Sequence, residues 1–363
     1  MIPHNITKQS VLNAIKQIDE EGVPKGREST KYNLIYNGKL YPPKYTLALA
    51  NLIENSVFLK SDQFNGGKET NYYLKKLGFE IVGGNLSKED SSQEVKIASA
   101  IIQSEHFSIY HGEDIRPWDK YNHSRLNLLD RIINELDKNV DVLLLPAGYL
   151  KYDEKVNYYY DEIEEEIKKI LNKYKSETVV CIGVDGRDGM DQIGMAINKD
   201  KILGIGRKFY PTDGEKNVIQ LSSHYLDKED KYRRIIDVKG KKLYIAICYD
   251  SFGIRKMSLK NPGIDVILNL AHRFNPKGFD GSGEVYFAKY GFAGSSKEWK
   301  CPTFGTATFY HRDIPVKFPA GVLWGCGEKN VQQWKYDDNV INIDKIYDTS
   351  LDFEKAEVRV YSL

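Results

Sequence analysis

Residues Leu243 to Asp250 read LYIAICYD and end in a thiol, a phenol and a carboxylate. Cys248 is the group in this stretch best suited to covalent chemistry. A thiolate can attack an electrophilic carbon and form a thioester that water then opens. That chemistry needs a sulfur that is held still yet faces a pocket. The stretch offers such a place. Its apolar and aromatic run, entered through Lys239-Gly240-Lys241-Lys242, reads as a short buried strand. Ser251-Phe252-Gly253 then turns the chain towards a helix. The same residue also reads as an ordinary core cysteine, since free Cys is among the most buried residue types.

Other elements must position this strand end. From Val95 strands alternate with helices. VKIASAII reads as a strand. Leu126, Leu129, Ile132, Ile133 and Leu136 form a helical stripe over 124–138. DVLLL (141–145) reads as a buried strand stopped by Pro146. A long helix is expected over 158–174, with Ile163, Ile167, Ile170 and Leu171 on one face. Glu164/Lys168 and Glu165/Lys169 pairs support the other face. TVVCIGVD is a further strand. QIGMAINKDKILGIGRKFY reads as a hairpin around Asn-Lys-Asp-Lys, and GIDVILNLAHRF as another buried strand.

The first part of the chain has a different grain. Residues 5–82 predict a small α/β unit. Val11, Ile15 and Ile18 mark a helix with Thr7 or Asn5 as cap and Gly22 as stop. Asn37-Gly38 between two short strands signals a hairpin. Pro42-Pro43 opens a helix through TLALANLIENS. A last helix over 71–77 ends at Gly78, and FEIV closes the unit. Residues 83–94, GGNLSKEDSSQE, mark a flexible boundary. The chain is therefore read as a head over 1–84, a linker over 85–94 and a larger domain over 95–363.

Composition narrows the function classes. The chain has 363 residues, of which 41% are hydrophobic and 28% charged, as in a soluble globular protein. A net charge of +1 argues against a uniformly basic coat for nucleic acid but leaves room for a local basic face. Residues 1–84 carry eleven Lys and Arg against eight Asp and Glu, a net +3. The four cysteines, Cys181, Cys248, Cys301 and Cys326, form no CxxC pair, so a zinc ribbon is not expected. A reducing cytoplasm is the expected setting. No signal-peptide pattern opens the chain, and no apolar run approaches the roughly 18 residues needed to span a bilayer.

Two resemblances follow from particular motifs. GREST-KYNLIYNGKLYPPKY and FNGGKETNYYLKKLGFEIV resemble the N-terminal head domain of McrA-type modification-dependent restriction endonucleases. This implies a setting in DNA modification or phage defence, with nucleic acid as a candidate partner of the head. No HNH pattern follows, so a nuclease is not expected. In the larger domain, strand ends at LLLPAGYL, GRKFYPTDGE and AICYD come in the order found in the carbon–nitrogen hydrolase (nitrilase) superfamily. The resemblance runs from about Val95 to Ile346. PTFGTATFY resembles the family's late strand behind the site, and VINIDKIYD its closing segment. It implies a four-layer αββα sandwich that pairs into homo-oligomers, with no metal and no organic cofactor. It also implies Cys248 as nucleophile, Lys208 as the ammonium that stabilises the oxyanion, and Glu215 as a second carboxylate orienting the site. The substrate would be a small amide, nitrile or nucleotide-derived molecule.

One departure bears on activity. The family's first strand end carries Pro-Glu, and this chain has Pro146-Ala147. The general base is missing from its usual place. Either the domain binds a ligand without turnover, or another group replaces the Glu, or the local register differs. His272 is the best replacement. It follows Asn269 at the end of the strand beside the nucleophile strand, and a Cys–His pair is a standard way to activate a thiol. Glu154 and Glu284 are weaker candidates. Tyr149 and Trp118 could line a pocket or pack. Cys301 and Cys326 sit in Gly/Pro-rich loops that could cover the site or pack.

Overall fold

The computed structural model describes the chain except residues 1, 4, 25, 30–31, 37–38, 61–62, 65–67, 84–93, 106–117, 276–282, 325–339 and 352–353. The chain forms two compact units, Met1–Ser91 and Ser92–Leu363.

In the first unit, α1 (Lys8–Glu21) starts at Thr7, whose hydroxyl accepts from the Ser10 N–H in a capping box. It stops at Gly22, which takes a φ of 80° that suits glycine. Strand β1 (Tyr32–Tyr36) pairs with β2 (Lys39–Tyr41), Tyr36 opposite Lys39. The Asn37-Gly38 turn inferred from sequence lies outside the described residues. Helices α2 (Pro43–Asn55) and α3 (Lys68–Lys76) follow. Strand β3 (Glu80–Gly83) then completes a sheet of order β2-β1-β3. Val11, Ile15, Leu34, Leu47 and Leu74 form its core.

The second unit opens with β4 (Lys96–Ser104), α4 (Trp118–Glu135) and β5 (Val142–Leu144). Helix α4 starts six residues before the expected position, because its polar first turns add nothing to the apolar stripe. Then come β6 (Leu150–Tyr152), α5 (Tyr160–Tyr174), β7 (Val179–Gly186) and the hairpin β8 (Asp191–Ile197) and β9 (Ile202–Arg207). Strands β10 (Ile235–Val238) and β11 (Lys241–Ile247) lead to α6 (Asp250–Lys256) and β12 (Val266–Phe274). Helix α7 (Glu284–Phe287), a π-helical turn over 288–292, α8 (Ala293–Trp299) and β13 (Thr303–Tyr310) follow. Strand β14 (Gly321–Val322) and the antiparallel pair β15 (Lys345–Leu351) and β16 (Glu354–Ser362) complete the unit.

The strands run in the order β10-β11-β12-β13-β4-β5-β7-β8-β9. Strand β4 is the fold line. Its end pairs with β13 (Ile102 opposite Thr308) and its start with β5 (Ile97 opposite Val142). The two wings then face each other. Gly194 of β8 has no room for a side chain, because a Cβ there would lie 2.7 Å from Ile245 of β11 and 3.0 Å from Leu270 of β12.

Residue alternation shows four layers. Val142, Leu144, Cys181, Leu243, Ile245, Leu268 and Leu270 point into the cluster between the wings. Leu143, Val180 and Ile182 point the other way, onto Leu129 and Ile133 of α4 and Ile163 and Ile167 of α5. On the opposite side Tyr244 and Ile267 meet Ile254 of α6 and Trp299 of α8. The expected αββα sandwich is present, with a large sheet nearly closed on itself. Ile205 of β9 and Ile245 of β11 each donate to a main-chain carbonyl in the stretch between them, Arg233 and Arg234 respectively.

Candidate active site

Strands β4, β5, β7, β9, β11, β12 and β13 all run the same way, so their C-terminal ends share one edge of the sandwich. Ligand sites of α/β sheets lie at this edge. Cys248 follows directly on β11. Its N–H donates to Leu270 O (2.8 Å) and its carbonyl accepts from Asn269 Nδ2 (2.9 Å). These bonds hold it at a φ of 48°, left-handed for a residue with a Cβ. Such a conformation costs about 1–3 kcal/mol and persists where the surroundings fix it. The strand therefore ends at Ile247, and the sulfur is turned out of the ladder.

Lys208, the first residue after β9, is fully buried. Its Nζ donates to Gln192 Oε1 (2.9 Å) and to both oxygens of Glu215 (2.6 and 2.7 Å). Glu215 also accepts from the Thr212 N–H (2.7 Å) and from Gln192 Nε2 (3.1 Å). Burial would raise the Glu215 carboxyl. The Lys208 charge and hydrogen bond, the Thr212 N–H and His272 bring it down to about 2.

His272, near the end of β12, lies close enough to the Cys248 thiol for each group to shift the other. Its Nε2 also stands 3.2 Å from Asp185 Oδ1, at the end of β7. Burial pushes the imidazole down, but the Asp185 carboxylate and then the Cys248 sulfur raise it to about 9. Burial alone would push the Cys248 thiol up. The Lys208 charge and His272 outweigh it, so the thiol lies below its ordinary value despite opposition from Glu215. These shifts favour a thiolate beside an imidazolium.

The four residues singled out from sequence, Cys248, Lys208, Glu215 and His272, thus stand together. Asp185 and Gln192 were not singled out. The only signal for Asp185 was a carboxylate closing TVVCIGVD. Ala147 is buried at the end of β5 and bonded through its N–H to Ala271 O (3.1 Å), with no carboxylate to offer. Glu154 is exposed, and Glu284 is held by Arg312 (2.9 Å). Tyr149 is packed in the core, its hydroxyl donating to Arg125 O (2.7 Å). Cys301 is buried, its thiol pushed up to about 12 by burial and then by Asp265. The side chain of Trp118 and all of Cys326 lie outside the described residues. Among the described residues no cluster of three or more His, Cys, Asp or Glu could hold a metal ion, and no helix is long and apolar enough to cross a membrane.

Gly148 fixes the approach of the β5 loop to Asp185. It has a φ of +63°, and a Cβ there would lie 2.6 Å from Asp185 Oδ2 and 3.5 Å from His272 Cδ2. Gly148→Ala is expected to push Asp185 off His272. Alkylation of Cys248 by iodoacetamide at neutral pH should then slow by about tenfold, the equivalent of one pKa unit. A rate equal to wild type would show that Asp185 does not need this approach.

Comparison with known proteins gives different answers for the two units. Residues 4–83 match the family model of the ScoMcrA-like N-terminal head domain. No curated protein matches the chain. Similar solved structures include Nit3 of Saccharomyces cerevisiae, a member of branch 10 of the nitrilase superfamily. It is 12% identical, with 75% of this chain and 90% of that one covered, at a TM-score of 0.42. XC1258 of Xanthomonas campestris, a CN-hydrolase superfamily protein with an arsenic adduct in its active site, is 13% identical. The match covers 59% of this chain and 76% of that one at a TM-score of 0.41. A glutamine-dependent NAD(+) synthetase from Cytophaga hutchinsonii is 16% identical, covering 59% and 36%, at a TM-score of 0.39. The chain thus carries a segment matching the ScoMcrA-like head, followed by a sandwich whose structural neighbours include nitrilase-superfamily proteins.

Proposed function

We propose that the second unit hydrolyses an amide or nitrile C–N bond through a thioester on Cys248, with His272 carrying the protons that a strand-end Glu would otherwise carry. One observation supports this above the rest: His272 interacts with both the Cys248 thiol and Asp185, beside a buried ammonium. With an amide, the Cys248 thiolate adds to the carbonyl carbon. The oxyanion is stabilised by the charge of Lys208, whose ammonium is held in place by Gln192 and both oxygens of Glu215. As the C–N bond breaks, the His272 imidazolium gives its proton to the departing nitrogen. The neutral imidazole then takes a proton from water, which opens the thioester. The acid leaves, and the thiolate and imidazolium are restored. Asp185 holds the ring and stabilises its charged form.

A histidine in reach of the sulfur favours turnover over a binding-only role. The test is a panel of small amides and nitriles with mass detection of the enzyme. The expected result is a transient acyl mass on the Cys248 peptide, absent in Cys248→Ala. Turnover that persists in Cys248→Ala would refute the assignment.

For the head we propose contact with nucleic acid. The family-model match supports this, as does a surface depression lined by Tyr32, Glu69, Asn71, Tyr72 and Lys75. Tyr72 there is 73% exposed, and an aromatic face beside a lysine suits stacked bases near phosphate. A DNA mobility shift that weakens with salt is expected. No shift at low salt would remove the role.

A further inference from the structure

Strands β9 and β11, which end at Lys208 and Cys248, are not hydrogen-bonded neighbours in the sheet. The sheet ladder therefore does not set the relation between ammonium and sulfur. A buried side-chain pair bridges the two strand ends instead. Asp250 stands two residues past the nucleophile and is fully buried. Its Oδ1 accepts from the N–H groups of Phe209 (2.8 Å) and Tyr210 (3.0 Å), the two residues after Lys208. Its Oδ2 accepts from the N–H of Ile247 (3.0 Å), the residue before Cys248, and from Arg234 Nη1 (3.2 Å). Arg234, buried as well, donates to the carbonyl of Arg207, the residue before Lys208, and to Tyr244 Oη on β11 (3.0 Å).

We infer that Asp250, together with Arg234, is the positioning residue that sets the Lys208 ammonium against the Cys248 sulfur across the two wings. This rests on the roles given to Lys208 and Cys248 above. A buried ion pair is a poor way to gain stability compared with apolar packing of the same volume. Here all four contacts of the carboxylate go to atoms that fix the two strand ends. Lys208, His272 and Glu215 are the charged groups that act on the thiol. Its ionisation therefore reports how closely Lys208 is held.

The experiment is the pH dependence of Cys248 alkylation by iodoacetamide in the full chain, read on the Cys248 peptide, for wild type, Asp250→Asn and Arg234→Lys, with melting curves alongside. In Asp250→Asn the carboxamide nitrogen cannot accept, so one side of the clamp opens. The profile should move to higher pH, and the rate near pH 6 should fall at least about tenfold. Arg234→Lys should move it the same way by less. Lower melting temperatures with a wild-type profile in both variants would mean a merely structural role and overturn the inference. If Asp250→Asn does not fold, Arg234→Lys decides by the same criterion. A wild-type profile already in the ordinary thiol range, near about 8.5, would overturn the hydrolase reading and this inference with it. A depressed wild-type profile that neither variant shifts overturns this inference alone.

Discussion

Replacing His272 with alanine is expected to lower turnover by about 10²–10⁴-fold, the usual contribution of a positioned acid–base group. Two losses combine. The leaving nitrogen has no proton donor, and the thiol loses one of the two groups that hold its value down. The pH dependence separates this from a packing defect. Burial lowers the His272 imidazole in the folded protein, but the Asp185 carboxylate and the Cys248 sulfur outweigh it and raise the group from its ordinary 6.5 to about 9. The stability it gains from Asp185 and Cys248 is full below about 6.5 and fades as pH rises through about 9. The Cys248 thiol runs the opposite way. Its folded value is lowered from 9.0, so its contribution is present above 9.0 and is lost as pH falls through the folded value. Turnover in the wild type should therefore fall on the alkaline side near about 9. In His272→Ala that limb should vanish and the acid limb should move up. An unchanged bell-shaped profile would rule out His272 as the proton carrier.

Lys208→Met carries the second large effect. Removing one member of a buried ion pair costs about 3–5 kcal/mol, because the remaining charge is left without compensation. Here the remaining charge is Glu215, which is bonded to Lys208 through both oxygens. The oxyanion also loses its donor, which costs about 10²–10³ in kcat. The double variant Lys208→Met/Glu215→Gln distinguishes the two losses. It should recover much of the melting temperature and none of the turnover. Recovery of both would place Lys208 in the scaffold and outside the chemistry.

The parts of the site legible in sequence were those written locally. A short apolar run with a reactive residue at its end marks Cys248, whereas Lys208 and Glu215 were legible only through the resemblance of GRKFYPTDGE to a nitrilase-superfamily strand end. Glu215 lies seven residues from its partner. The Asp185–His272 contact spans 87 residues and forms only because β7 and β12 end at one edge on facing wings. No periodicity carries that information. The left-handed turn at Cys248 was equally hidden, since nothing in ICYD favours a positive φ at the Cys. It follows from Asn269, Leu270 and Asp250, which hold the surrounding peptides. Helix α1 shows the contrary case. Thr7, the apolar stripe and Gly22 lie within one element, so both of its ends could be read directly.

The most direct test is spectroscopic and needs no substrate. It is the ultraviolet absorbance of the thiolate in wild type minus that in Cys248→Ala, followed from acid to alkaline pH. Sulfur 248 should already be ionised well below the ordinary thiol value of about 8.5. A difference signal that first rises at or above that value would contradict the account.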